Sequence, residues 1–587
     1  MTHRSSPHPR LLATLVPFSA LLPLVLLPAP AVPGDAGERG APVITVGPGI
    51  DCAESSLVTA INTAPSGAEI RLENVTFSGV NVGIVGKDLT VIGGFETCSS
   101  ASPDFSSTLD GAGNGGNTVV DVFSGTSSTF TVRLENLNIE NGAETSPFER
   151  GGGLHVEDGN NVELVDVTFR NNTSATDGGA IQLRDAGSSV TMSGDSLITG
   201  NEAPDGGGIA CIGTGGPALL LIDRASIFQN TAARGGGVFA DGCTVETRAG
   251  GFLQGIFANE ATTSGGGIAA LGNSFVQVLG MPGPGSNPES AALIVDNTAD
   301  SRGGGIWALE SSDVEVVDGI VAGNIADRGG GVDVSTGASF VMRRGDGNDC
   351  GGAGQSGSGT APCPRLRDNR ARLVGGGFAV ADGTVDIAQS FLSGNTADLN
   401  GSVGEVSSGT ATISASVLFA NPGNQLIRQF AGSTLTVRWS TFADNLPDAG
   451  APPLIEVRGA TSTPATTRLW SNVAWNPGRP VYGVDSASGS LDDVQADCLL
   501  AHELTSLPAA TRSSVADPRF VDASSNDYHL AIDSPAIDFC DDAVSTPAFA
   551  DMDDQARGVD VVPGGLSFDV GADESLGTVF RDGFESG

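Results

Sequence analysis

The chain has 587 residues, 84 of them glycine, with 39% hydrophobic, 5% aromatic and 17% charged residues. That length outgrows a single compact core, and a glycine-rich, aromatic-poor composition favours one elongated repetitive body, while the apolar content excludes wholesale disorder. A formal charge of −39 excludes nucleic acid and anionic lipid as partners for the surface as a whole.

Residues 1–31 carry a basic start with Arg4 and Arg10, the apolar run LLATLVPFSALLPLVLL and the small-residue site Ala29-Pro30-Ala31. This is the pattern of a secretory signal peptide. No later segment is apolar enough to cross a membrane as a helix. Eight cysteines behind such a leader predict disulfides formed in an oxidising compartment. Pairing of neighbours is expected: Cys52 with Cys98, Cys211 with Cys243, Cys350 with Cys363, and Cys498 with Cys540. Zinc is not expected on these cysteines, because no close pair is joined by a second pair or by histidines at ligand spacing.

Residues 32–135 read as an N-terminal cap and first coils. In CAESSLVTAINTAPSGAEIRL (52–72), Leu57, Ala60, Ile61 and Ala64 fall at helical spacing before a glycine turn and a strand. A short helix covering the open end of a strand stack is predicted. VIGGFETC (91–98) fits the first coil after it, and the Cys52–Cys98 bond would pin the cap.

Residues 136–480 are repetitive. Glycine pairs or triplets start at Gly151, Gly178, Gly206, Gly235, Gly265, Gly303, Gly329 and Gly375, with a degenerate NGSVG around Gly401. An asparagine stands five or six residues before the glycines of most repeats, at Asn172, Asn201, Asn230, Asn259, Asn297, Asn324, Asn369 and Asn395. Between them the chain alternates apolar and polar residues, as in NNVELVDVTFRNN (160–172), so each repeat holds short strands and not a helix pair. A fixed core with loop-sized insertions is a solenoid. The fold class is therefore all-β, a single-stranded parallel β-helix with a short N-terminal capping helix. Its asparagines are expected to stack as a ladder, each in the left-handed conformation, and its glycines to turn tight corners.

These repeats also carry a resemblance. GGAI or GGGI/V (178–181, 206–209, 303–306), with FRNN (169–172) and FADN (442–445), resemble the repeats of polymorphic outer membrane proteins, over about Gly151 to Asn445. The resemblance implies a right-handed β-helix, a surface-exposed passenger and an adhesive role at the surface of a Gram-negative bacterium. No run of long alternating strands after Asn445 is of the kind that builds the outer-membrane barrel usual in that family.

Residues 481–575 read as a closing segment. DPRFVDASSNDYHLAIDSPAID (517–538), DMDDQARG (551–558) and FDVGADE (568–574) resemble the last part of secreted bacterial β-helix proteins of the choice-of-anchor Q type, with Ala572-Asp573 where an aromatic is usual before the Glu. The resemblance implies an envelope or extracellular location. Residues 576–587 form a tail with no apolar helix, read either as a sorting signal or as a plain chain end.

Chemistry is sparse. RRGDGNDC (343–350) and CPRLRDNRAR (363–372) gather six arginines beside Asp346 and Asp349 around the loop GGAGQSGSGTAP. They hold an acidic glycan, with Arg365 or Arg367 as base, or they simply pair with acids of adjacent coils; the second reading is the favoured one. DMDD (551–554) with Asp569 or Glu574 is either a Ca²⁺ site or a hydrogen-bonded acidic turn. His155, His502 and His529 lack a serine or cysteine partner in a nucleophile-elbow setting. No catalytic or cofactor-binding residue is assigned, the metal question is open, and Ca²⁺ is the single ion considered. The sequence predicts a monomeric, secreted or cell-surface protein, extracellular or at the outer-membrane surface, acting by adhesion or contact with glycan or matrix. A polysaccharide lyase or glycoside hydrolase is the first alternative and a structural envelope spacer the second.

Overall fold

The structure, a computed structural model, describes residues 41–575 apart from residues 126–127, 147–149, 250–253, 281–290, 346–362, 446, 448–449, 451, 459–462, 486–491, 508–509, 541–549, 554, 556 and 559–567. The leader (1–31), Cys350, Asp346, Asp349, the 351–362 loop and the 576–587 tail therefore lie outside the described residues.

Alternation dictates the strands. In Asn161–Arg170, Val162, Leu164, Val167 and Phe169 point inward and are buried. The alternation breaks at Val165-Asp166, where Asp166 takes a positive φ of 53° and bends the strand. In the next coil the same bend splits the run into Ser189–Ser193 and Leu197–Thr199. Glu202–Asp205 and Ile209–Ile212 complete the turn, and Leu219–Asp223 then lies on Ser189–Ser193 in parallel register, Ser189 opposite Leu219. Repetition of this path builds a right-handed parallel β-helix whose three sheets hold 31, 14 and 9 strands among the described residues, with a separate two-stranded antiparallel pair near the C-terminal end. We call them sheets I, II and III. Inward side chains form one continuous core from Val46 to Leu507.

The buried asparagines hold the coils in step. The backbone N–H and the amide of Asn172 both donate to Oδ1 of Asn201, at 2.9 and 3.0 Å. The relay continues through Asn230, Asn259, Asn297, Asn324, Asn369 and Asn395, and beyond them through Asn421, Asn445 and Asn476. The left-handed residue is not the ladder asparagine, as expected from sequence, but its predecessor, for example Asn171 (φ 55°), Gln229 (φ 56°) and Asp296 (φ 56°). The preceding residue turns the chain, which leaves the asparagine free to aim its amide inward along the stack.

The glycine corners divide their labour. The first glycine of the 206–208 triplet has φ 65°. A Cβ on the second, Gly207, would lie 2.4 Å from the carbonyl oxygen of Thr231, so the coil above leaves it no room. The α-helix Leu57–Thr63 forms as predicted, capped by Ser56 and burying Leu57, Ala60 and Ile61. Lys87 donates to the carbonyls of Ile61 and Ala64 at its C-terminal end, at 2.6 and 2.9 Å, where a cation suits the unpaired oxygens.

Cys52–Cys98, Cys211–Cys243 and Cys498–Cys540 are disulfides. Cys363 is also disulfide-bonded. The described residues after Asp517 lie along the outer face of sheet I, where Tyr528, Met552 and Ala572 pack on Phe391, Val417 and Phe419. Leu530, Ala536 and Val570 cover Val473 and Leu500 in the same way. Arg344, many coils earlier, donates to the carbonyl of Met552 at 2.8 Å.

Replacing Asn324 by Ala leaves the buried N–H of Asn297 without its acceptor, removes one of the two bonds made by the Asn297 amide, and takes away the side-chain donor to the carbonyl of Ile294. At about 1–3 kcal/mol for each group stranded, the variant is expected to lose roughly 3 kcal/mol or more, read as a lower denaturation midpoint in urea.

Candidate functional site: the glycine-corner strip

The residue before each glycine run and the one five positions after it converge outside the corner. The first column carries Arg150, then Asp177, Asp205, Arg234, Ser264, Arg302, Arg328, Val374 and Asn400, bridged from coil to coil from Asp177 onward. The second, on the outward side of sheet II, carries Asp121, His155, Gln182, Ala210, Phe239, Ala269, Trp307, Asp333, Ala379, Glu405 and Arg428, each in register with the next. Parallel pairing sets their spacing at about 4.8 Å.

Charges along the strip answer one another. Arg150 sits 2.8 Å from Asp121, whose other oxygen is 2.8 Å from Nδ1 of His155. Arg234 grips Asp205 with two bonds, of 2.8 and 2.5 Å, while lying 4.8 Å over the ring of Phe239. Arg328 reaches Asp333 at 2.8 Å, Glu405 at 3.3 Å and Ser407 at 3.0 Å. Arg302 stands 3.9 Å from Asp333 and keeps 43% of its side chain exposed, which makes it the loosest cation of this group. Burial pushes the carboxyls of Asp333 and Glu405 above the usual range, partly offset by Arg328. Trp307 is half-buried between Ala269 and Asp333, and its indole N–H has no acceptor.

The arginines singled out from sequence lie elsewhere, on sheet I and its neighbours. Arg343 pairs with Glu315, Arg367 with Asp368, Arg370 with Asp398 and Arg372 with Asp327, at 2.6–3.2 Å. Arg365 sits beside Arg367, and burial followed by that like charge lowers its pKa. His502 ends the asparagine ladder, its Nδ1 3.1 Å from the N–H of Asn476.

Asp551 of DMDD turns inward onto backbone, while Asp553 faces His529 and Asp554 lies outside the described residues. Asp551 accepts from the N–H groups of Asp553, Gln555 and Glu574, and Asp569 from those of Asp538 and Ser575. Arg557 lies buried among them, 4.9 Å over the ring of Trp439. His529 bridges Asp527 and Asp553. Burial raises Asp551 to about 7 and Asp569 to about 8, while the carboxylates on either side outweigh desolvation and carry His529 to about 10.

The strip does not show as a recurrence in the sequence, because the glycine corners repeat while the residues that flank them vary. The available signal was the fixed offset of charged and aromatic residues, one before and five after, as in RGGGVF, RGGGIW and RGGGVD.

Comparison with known proteins is consistent with this coil. The Chlamydia polymorphic membrane protein (Chlamydia_PMP) repeat matches residues 166–184, one bend, one ladder asparagine and one glycine corner. No curated protein sequence matches the chain. Among solved structures, a PL6 family alginate lyase, AlyGC, aligns over 79% of this chain and 80% of its own at 12% identity with a TM-score of 0.16. A mutant of AlyGC aligns over 76% and 83% at 11% identity with a TM-score of 0.15.

The raised groups of the closing segment fix the sign of its pH response. Asp551 and Asp569 bind protons more tightly folded than unfolded, a contribution complete below pH 4 and lost through about 7 and 8. That of His529 is complete below about 6.5 and lost through about 10, so all three act alike. Hydrogen exchange of residues 517–540 and 568–574, corrected for intrinsic base catalysis, is expected to rise between pH 5 and pH 9 while the ladder coils stay protected.

Proposed function

We propose that this is a secreted or cell-surface β-helix protein that works by contact with an extracellular polymer, a glycan or matrix component, laid along the glycine-corner strip. The observation that carries the reading is the contrast between a repeated frame and a changing outward strip. Core, ladder and corner positions recur coil after coil, whereas the two flanking columns run through arginine, aspartate, phenylalanine, tryptophan and glutamate. The second column is buried apart from Trp307, but its partly exposed neighbours Arg150, Asp177, Asp205, Arg234 and Arg302 stand with Trp307 at a repeating pitch that suits a linear ligand with its own repeat. Disulfides and the repeat match support an extracytoplasmic setting. In this reading residues 32–135 cap the stack, 136–480 present the surface, and 481–575, with their likeness to choice-of-anchor Q proteins, brace it.

A second reading, a glycoside hydrolase, rests on Asp333 and Glu405. They stand two coils apart with only Ala379 between them, and one guanidinium bridges both. A glycosidase needs one carboxyl of raised pKa as its acid and a second, ionised carboxylate as base or nucleophile, roles that burial and the shared guanidinium would have to divide between these two.

Binding of the purified chain to a panel of uronate-containing and neutral polysaccharides separates the two. Contact along the strip predicts retention without turnover, weakened about tenfold by Trp307→Ala or Arg302→Ala and unchanged by Arg367→Ala. New reducing ends that vanish in Asp333→Asn would establish the hydrolase instead. Retention that survives both strip variants would remove the strip from the account.

A further inference from the structure

We propose that His155 and Glu157, held by Asp121 and joined by Gln182, form a binding site for a divalent transition-metal ion such as zinc at the first glycine corner. The inference is independent of polymer contact along the strip.

The corner brings these residues together through strand register. Val120–Phe123 and Leu154–Val156 are parallel neighbours in sheet II, with Asp121 opposite His155, and Ile181–Arg184 follows with Gln182 opposite His155. Asp121 Oδ1 lies 2.8 Å from Nδ1 of His155. Arg150 holds the other oxygen at 2.8 Å, so Asp121 faces two donors, and the proton of a neutral imidazole sits on Nδ1 and leaves a lone pair on Nε2.

That lone pair has no partner. His155 is 1% exposed, and Nε2 makes no hydrogen bond, a costly state for a buried acceptor. Its nearest charged neighbour is Oε2 of Glu157 at 3.7 Å, too far for a hydrogen bond. Two donors each about 2.1 Å from one tetrahedral ion stand roughly 3.4 Å apart, so the observed gap closes on a metal with a small adjustment. Gln182 adds a fully buried side chain whose Oε1 is likewise without a partner. Two orphaned buried atoms in adjacent coils, beside a partly exposed carboxylate, are the donor set of a small metal site that water completes.

A carboxylate hydrogen-bonded to the far nitrogen of a ligand histidine is the usual outer-shell support of such sites. Mixed nitrogen and oxygen donors favour zinc, cobalt or nickel over calcium.

The other clusters are already committed. Both nitrogens of His529 are engaged, by Asp527 and Asp553, and the cysteines beside Glu73 form the Cys52–Cys98 disulfide.

The test uses the full chain, stripped with chelator and titrated with Zn²⁺ by calorimetry, and with Co²⁺ followed by visible absorption. One saturable site is expected, weakened at least tenfold by His155→Ala and by Glu157→Gln, and unchanged by His529→Gln. Glu157 is partly exposed, so Glu157→Gln tests the site without disturbing the coil, and circular dichroism confirms that each variant is folded. Absence of saturable binding by the folded wild type, binding indifferent to Glu157→Gln, or binding lost in His529→Gln would each overturn the assignment.

Discussion

Everything in this molecule depends on a hydrogen-bond problem that recurs once per coil. The chain must turn between sheets I and III inside the protein, where a stranded N–H is not solvated. Asparagine solves it because one amide holds both an acceptor and a donor. Its oxygen takes two bonds from the previous coil and its nitrogen passes one to the next, which aspartate or serine in the same place does not do. The ladder thereby fixes axial register, and register is what aligns every other column.

The corner strip inherits both its order and its tension from that register. Side chains flanking the glycines are drawn against the backbone, so charges there are partly desolvated and need partners in neighbouring coils. The strip meets this along and across its columns: Arg234 turns to Asp205 of its own column in the previous coil, and Arg328 crosses to Asp333 and Glu405. Alanines at 210, 269 and 379 give the larger side chains their room. Buried ion pairs of this type add little net stability against apolar replacements.

Much of the frame was legible in sequence and much of the site was not. The glycine and asparagine offsets specify the coil, and Leu57, Ala60 and Ile61 specify the helix, because each pattern reports a local and periodic demand. The left-handed residue was misplaced by one, since Asn171 and Asn172 look alike to a propensity argument and only stacking tells which amide points inward. The strip went unread because its residues vary, and variation at a constant offset is invisible to a search for recurrence. His155 illustrates the limit: Asp121 and Gln182 are distant in sequence and meet it only through register.

The closing segment shows a different logic. Strands such as Phe391–Ser393, Val417–Phe419 and Thr441–Ala443 are buried at every or nearly every position, which marks a sheet covered on both faces. A solenoid coil supplies no second layer, so the chain must return to provide one. It returns carrying Asp551, Asp569, Asp573 and Glu574 into a buried place, with Arg557 and His529 as the nearby cations. Backbone N–H groups take up much of the remaining charge, which is why these acids sit in tight turns. The apolar contacts with Phe391, Val417 and Leu500 drive the docking, and the acids decide how far it tolerates deprotonation. A strongly acidic chain thus gains a brace whose hold is set by its surroundings, while the ladder beneath it, made of uncharged amides, is not.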